Sequence, residues 1–97
     1  MIEENRIKEL EGLGFKRWTK RNMDRLYINA GALGLKCDYY NTGNIRNALF
    51  NDEHISNCEA RRIKAAKTYI DVATGKVYGN NETLARKAAE ISGCEIA

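Results

Sequence analysis

Three times along this 97-residue chain, a short cluster of turn formers separates two runs in which apolar and polar side chains alternate. Period-two alternation marks a strand with one buried face, and a tight turn between two such runs makes a hairpin. The first pair is Phe15 to Lys20 and Asp24 to Ile28, around Arg21-Asn22. The second is Lys36 to Tyr40 and Ile45 to Phe50, with Thr42-Gly43 at its tip. The third is Thr68 to Val72 and Lys76 to Tyr78, turning at Ala73-Thr74-Gly75. Asn51-Asp52 is a further tight-turn signal, so His54-Ile55 is expected to return as a short strand. Asn29 to Leu35 reads as a loop with a helical turn.

Between and around the hairpins the period changes to that of a helix. Ile7 and Leu10 lie three apart in a helix over Ile2 to Glu11. Gly12 is expected to supply its left-handed stop, with Leu13 folded back over the last turn. Ser56 and Glu59 have capping-box spacing and open a helix to about Lys67. Its narrow apolar stripe is Ala60, Ile63 and Ala66, which leaves Arg61, Arg62 and Lys64 largely off it. Asn80 or Asn81 caps a last helix, Glu82 to Ile91, with Leu84, Ala88 and Ile91 on one face and Gly93 at its end. The expectation is an α+β fold: antiparallel β-hairpins or a meander, with an N-terminal, a middle and a C-terminal helix packed on the sheet. No proline and no long linker divides the chain, so residues 1–97 read as a single domain of ordinary size. With 43% hydrophobic and 30% charged residues, wholesale disorder is excluded. Hairpins recur but no sequence period does, so no repeat is assigned.

Several function classes find no purchase. No apolar run approaches the roughly 18 residues that span a bilayer. The start, Met1-Ile2-Glu3-Glu4-Asn5-Arg6, lacks the basic opening and apolar stretch of a secretory signal. A cytoplasmic protein with no membrane partner is expected. Cys37, Cys58 and Cys94 include no CxxC, and His54 is the only histidine, so three buried, reduced thiols are expected, with no metal and no cofactor. Cys58 also lies at a helix start, where a thiol can become more acidic. His54 sits beside Asp52 and Glu53 with no nucleophile signalled, as an exposed turn residue would. Thr74-Gly75-Lys76 ends like a phosphate loop but lacks the GxxxxGK spacing. No second carboxylate stands at metal-binding separation from Asp71 or from Asp52 and Glu53. Catalysis is therefore not expected, with a metal-dependent nuclease kept as an outside alternative.

The net charge of +3 is modest, but it is unevenly spread. Glu3, Glu4, Glu9 and Glu11 dominate the start; Lys16, Arg17, Lys20, Arg21 and Arg25 follow against Asp24 alone. With a loop of two or four residues, Thr19 faces Asp24 and Trp18 faces Arg25. One face of the first hairpin then carries Phe15, Leu26 and Ile28. The other carries Lys16, Trp18, Lys20, Arg25 and Tyr27, with Arg21 at the tip. A one-residue change in the loop would scramble the pairing. Rings that can stack on bases, fringed by cations that neutralise phosphates, are what sheet-surface readers of single strands use. Arg61, Arg62 and Lys64, with Lys67, would extend the footprint if they lie on the same side. Two other readings fit the same residues: Trp18 and Tyr27 covered by helices, with lysines reaching past the rim, or a protein interface. Tyr39, Tyr40, Tyr69 and Tyr78 are expected to be mainly structural.

Phe15 to Lys20 followed by Asp24 to Asn29, with Ile55 to Asn57 and Tyr69 to Gly79, resembles small accessory proteins carried by prophages and other mobile elements of low-GC bacteria. Such families include anti-CRISPR proteins. The resemblance implies a class of role and no particular residues. Gly75 to Ala89 is also similar to the strand–turn–helix DNA-binding repeats of homing endonucleases, though almost no chain follows to supply a second helix. The leading expectation is a non-catalytic binding protein directed at nucleic acid, RNA or DNA, or at a nucleoprotein effector such as a CRISPR complex. Positive charge argues against imitation of DNA. A small DNA-binding regulator, which would dimerise on spaced half-sites, is the alternative.

Overall fold

In the computed structural model, which describes all residues from Met1 to Ala97, the apolar face of each predicted hairpin finds a helix to cover it. The chain runs α1 (Glu4–Gly12), β1 (Lys16–Lys20), β2 (Met23–Ile28), β3 (Leu35–Tyr39), β4 (Ile45–Phe50), β5 (Glu53–His54), α2 (Asn57–Ala65), β6 (Thr68–Asp71), β7 (Lys76–Gly79), α3 (Glu82–Ser92) and β8 (Glu95–Ile96). This is an α+β fold with the three expected helices. No helix is long and apolar enough to cross a membrane.

The hairpins are divided between two sheets. One has the order β1-β2-β6-β7-β8, antiparallel except for the short parallel pair β7–β8; the other is β3-β4-β5. The last strand carries no sequence signal of its own. It forms because Gly93, in the left-handed conformation, turns the chain back beside β7, where Ala97 donates to the Val77 carbonyl. Strand β2 pairs with β6, far along the chain, because that pairing completes one apolar surface. Leu26, Ile28, Ile70 and Val77 all point to the side covered by Ile7 and Leu10 of α1 and Leu84, Ala85 and Ala88 of α3, and all nine are buried. A smaller cluster, Ile45, Ala48 and Ala60, joins α2 to the second sheet.

The segment from Asn29 to Gly34 links the sheets as successive turns without a helix. It is tied by Asn29 Oδ1, which accepts from the Ala32 amide, and it sinks Ala30 and Leu33 into the main core. The predicted left-handed stop after α1 moves by two residues. Gly12 is the last helical residue, Leu13 is right-handed and half-exposed, and Gly14 takes φ 109°, which only glycine adopts at little cost. The predicted fold-back of Leu13 is thus not seen: Phe15 instead fills the core below the helix end, its amide donating to the Leu10 carbonyl. Helix α2 also stops earlier than expected, at Ala65, because Ala66 is already extended toward β6.

The second and third hairpins with their helices share one plan. Each turns at a Thr-Gly pair with the glycine at positive φ, buries Ile45 or Val77 in its second strand, and opens its helix with a side-chain cap. Ser56 and Asn81 accept from the amides three residues on, and the same helical positions are buried: Ala60 and Ile63, Ala85 and Ala88. The insertion of β5 into the first unit makes the spacings unequal, which hides the recurrence from a fixed-period reading.

The thiols correct an expectation. Cys58 is exposed, while Cys37 and Cys94 are half-buried, and none is bonded to another. Cys58 occupies the solvent side of the first turn of α2, whose packed face is given to Ala60 and Ile63.

Candidate functional site

A two-residue turn at Arg21-Asn22 fixes the first hairpin, and it pairs Lys16 with Tyr27, Trp18 with Arg25, Thr19 with Asp24 and Lys20 with Met23. Side chains alternate about the strand, so Lys16, Trp18, Lys20, Arg25 and Tyr27 all point away from the helices. No helix covers this face. Trp18 is 57% exposed, so the indole is a surface group and the covered reading does not apply.

The neighbouring strands complete a surface the sequence reading gave only in part. Tyr27 pairs with Tyr69, and Tyr69 with Tyr78. Lys16, Tyr27, Tyr69 and Tyr78 therefore form a row straight across β1, β2, β6 and β7. The Tyr27 and Tyr69 ring centroids are 5.2 Å apart; those of Tyr69 and Tyr78 are 5.4 Å apart and within 15° of parallel. A second row, Trp18, Arg25, Asp71 and Lys76, runs beside it. Arg25 connects the two. Its guanidinium carbon lies 4.2 Å from the Tyr69 centroid, and Nη1 donates to the Tyr27 hydroxyl at 3.0 Å. That hydrogen bond is the main cause of an Arg25 pKa above its ordinary value, so the cation persists at any working pH.

The electrostatics are one-sided. Lys16, Lys20, Arg21, Arg25 and Lys76 have no carboxylate within 4.0 Å. The second row holds two carboxylates, Asp71 and, at the far edge opposite Lys76, Glu95; Asp71 Oδ2 is occupied by the amide and hydroxyl of Thr74 at the adjoining turn. The acids of α1 and α3 instead neutralise cations on the helical side, as in Arg6–Glu9, Arg86–Glu82 and Lys87–Glu90.

On the opposite face of the same hairpin, Arg17 anchors the platform to the helical layer. Its Nε and Nη2 grip both Asp24 oxygens at 3.0 and 2.7 Å, and Nη1 reaches Glu4 of α1 at 2.9 Å. The Arg17 hydrogen bonds hold the Asp24 carboxyl below its ordinary range. A carboxyl whose pKa falls on folding stabilises the protein above its unfolded value, about 3.9, and that stabilisation disappears as acid protonates the folded group. Asp24→Asn is therefore expected to lower the melting temperature near neutrality. The gap from the parent should close as pH falls from about 6 toward 2, below the usual carboxylate range. A gap that is constant over that range would mean the pair contributes nothing through charge.

The second basic group lies elsewhere. Arg61, Arg62 and Lys64 belong to α2, against the three-stranded sheet. Arg61 reaches Asn44 Oδ1 at 3.4 Å, Arg62 stands 3.8 Å from Glu59, and Lys64 donates to the Tyr39 hydroxyl. The tyrosine bond is the chief reason that the Lys64 pKa is raised. These residues are not part of the platform, whereas Lys67 lines a shallow hollow at its edge with Lys16 and Tyr27. Tyr69 and Tyr78, expected from the sequence to be mainly structural, stand on this open face beside Tyr27. Alternation places them on one face with Asp71 and Lys76, but nothing local says that β6 lies beside β2. No family model matches the chain, and comparisons with curated proteins and with solved structures gave no match.

Proposed function

We propose that this protein binds single-stranded nucleic acid, free or displayed within a nucleoprotein complex, on the open face of its five-stranded sheet. The observation that carries the reading is the uncovered row of Tyr27, Tyr69 and Tyr78 beside Arg25, bounded by Lys16 and Trp18. Trp18 and Tyr78, the exposed rings, offer a π-face to a base at any sequence, and the half-buried Tyr27 and Tyr69 form the floor between them. Unpaired cations on both sides of the row supply phosphate contacts. Binding of this kind needs no catalytic step. A cytoplasmic protein that inhibits by occupying a strand, such as the guide of a CRISPR effector, is the setting suggested by the sequence resemblance to mobile-element accessory proteins.

The test is fluorescence anisotropy with labelled single-stranded RNA, single-stranded DNA and a duplex, over about 50 to 300 mM salt. Single strands are expected to bind more tightly than duplex. The logarithm of the association constant should fall linearly with the logarithm of salt, with a slope near −0.7 for each phosphate engaged, or about −2 to −4 for three to five contacts. Failure of every single strand to bind at the lowest salt overturns the proposal. Preference for duplex with a dimeric stoichiometry would favour a DNA-binding regulator instead.

A further inference from the structure

The five-stranded sheet does not end the basic surface. At the edge of the platform, Lys16, Tyr27 and Lys67 line a hollow of about 260 Å³ that Asn29 also walls. Asn29 walls the next hollow as well, about 410 Å³, between Tyr39 and Lys64. Tyr39 and Lys64 in turn border a third, about 280 Å³, closed by Arg61. Three concavities with shared walls thus form one trough from the platform, past the linking loop, onto α2.

Charge and ring placement repeat along this trough. Tyr39 is 45% exposed, with the Lys64 ammonium 4.6 Å from its ring centroid, as Arg25 lies over Tyr69. A lysine ammonium has three donors, so the bond from Lys64 to the Tyr39 hydroxyl leaves two for a ligand oxygen. No carboxylate lines any of the three hollows. By contrast, the hollow between β4, β5 and α3 sets Glu53 and Glu90 against Arg86 and Lys87, so its charges offset one another.

We infer that a single strand bound on the platform continues along this trough, placing a second base on Tyr39 and its phosphates near Lys64 and Arg61. The inference rests on the reading proposed above and assigns the footprint of the same ligand. A second stacking station makes affinity depend on strand length: a strand just covering the platform lacks contacts that a longer one makes.

The experiment is a series of labelled oligouridylates and oligothymidylates from about 4 to 16 nucleotides, the range of single-strand site sizes on small domains. It is run on the full chain and on the variants R61A/K64A and Y39A, with circular dichroism to check folding. The readout is the ratio of affinities for long and short strands. The parent should gain at least tenfold on lengthening, whereas both variants should keep a gain of less than about threefold. R61A/K64A should also flatten the salt slope for long strands by about 0.7 per lost phosphate. A parent that binds short strands but gains nothing on lengthening, or folded variants that keep the full gain, overturns the trough. No binding at any length by the parent overturns the platform reading, and the trough with it.

Discussion

Alanine at Tyr69 is expected to weaken single-strand binding by roughly 5- to 150-fold, the equivalent of one lost base–aromatic stack at about 1–3 kcal/mol. Tyr69 is the middle ring of the row, in contact with Tyr27 on one side and Tyr78 on the other, and it carries the Arg25 guanidinium over its face. Its removal therefore breaks the row between Tyr27 and Tyr78 and also frees Arg25 from the ring that orients it. The structural cost should be smaller. Tyr69 is half-buried and outside the main core, so the loss is of cross-strand pairs, each about 0.2–1 kcal/mol. Tyr69→Phe keeps the ring and should bind within about threefold of the parent. Anisotropy titrations at constant salt, beside a melting curve, decide the matter. Equal binding by the alanine and phenylalanine variants would show that this ring is no platform.

The second large effect concerns the hidden side of the same sheet. Leu26→Ala is expected to cost about 3–5 kcal/mol, because Leu26 is fully buried among α1, α3 and the neighbouring strands. Small domains have only about 5–15 kcal/mol to lose. In a chain of this size the melting temperature should therefore fall by roughly 12–30 °C. Trp18→Ala is the informative control. Trp18 is more than half exposed on the opposite face, and its loss should shift the melting temperature by no more than about 5 °C. A drop under 5 °C for Leu26→Ala would mean that the apolar faces of β2 and β6 do not form the common core described above.

These two residues also show how much the chain states locally. Trp18 and Leu26 lie on opposite faces because alternation is a property of the strand itself. The pairing of Trp18 with Arg25 follows from a two-residue turn only a few positions away. Helix starts are equally local: the Ser56 and Asn81 caps bond amides three residues on, as their spacing predicts. The three helices, the hairpins and half of the open-face site, Lys16, Trp18, Arg25 and Tyr27, were accordingly legible without coordinates.

What the local pattern leaves open is which apolar face meets which. Any hairpin could neighbour any other as far as its own turn is concerned. The pairing of β2 with β6 is selected because it assembles Leu26, Ile28, Ile70 and Val77 under two helices, a burial term summed over the whole chain. That choice brought Tyr69 and Tyr78 beside Tyr27, sent β3, β4 and β5 into a separate sheet, and placed Arg61 and Lys64 around a corner from the platform. The sequence by itself determined the elements and the face on which each side chain sits, through forces acting over a few residues. The tertiary structure alone decided which faces adjoin, because only the completed core distinguishes among hairpins with nearly equivalent edges.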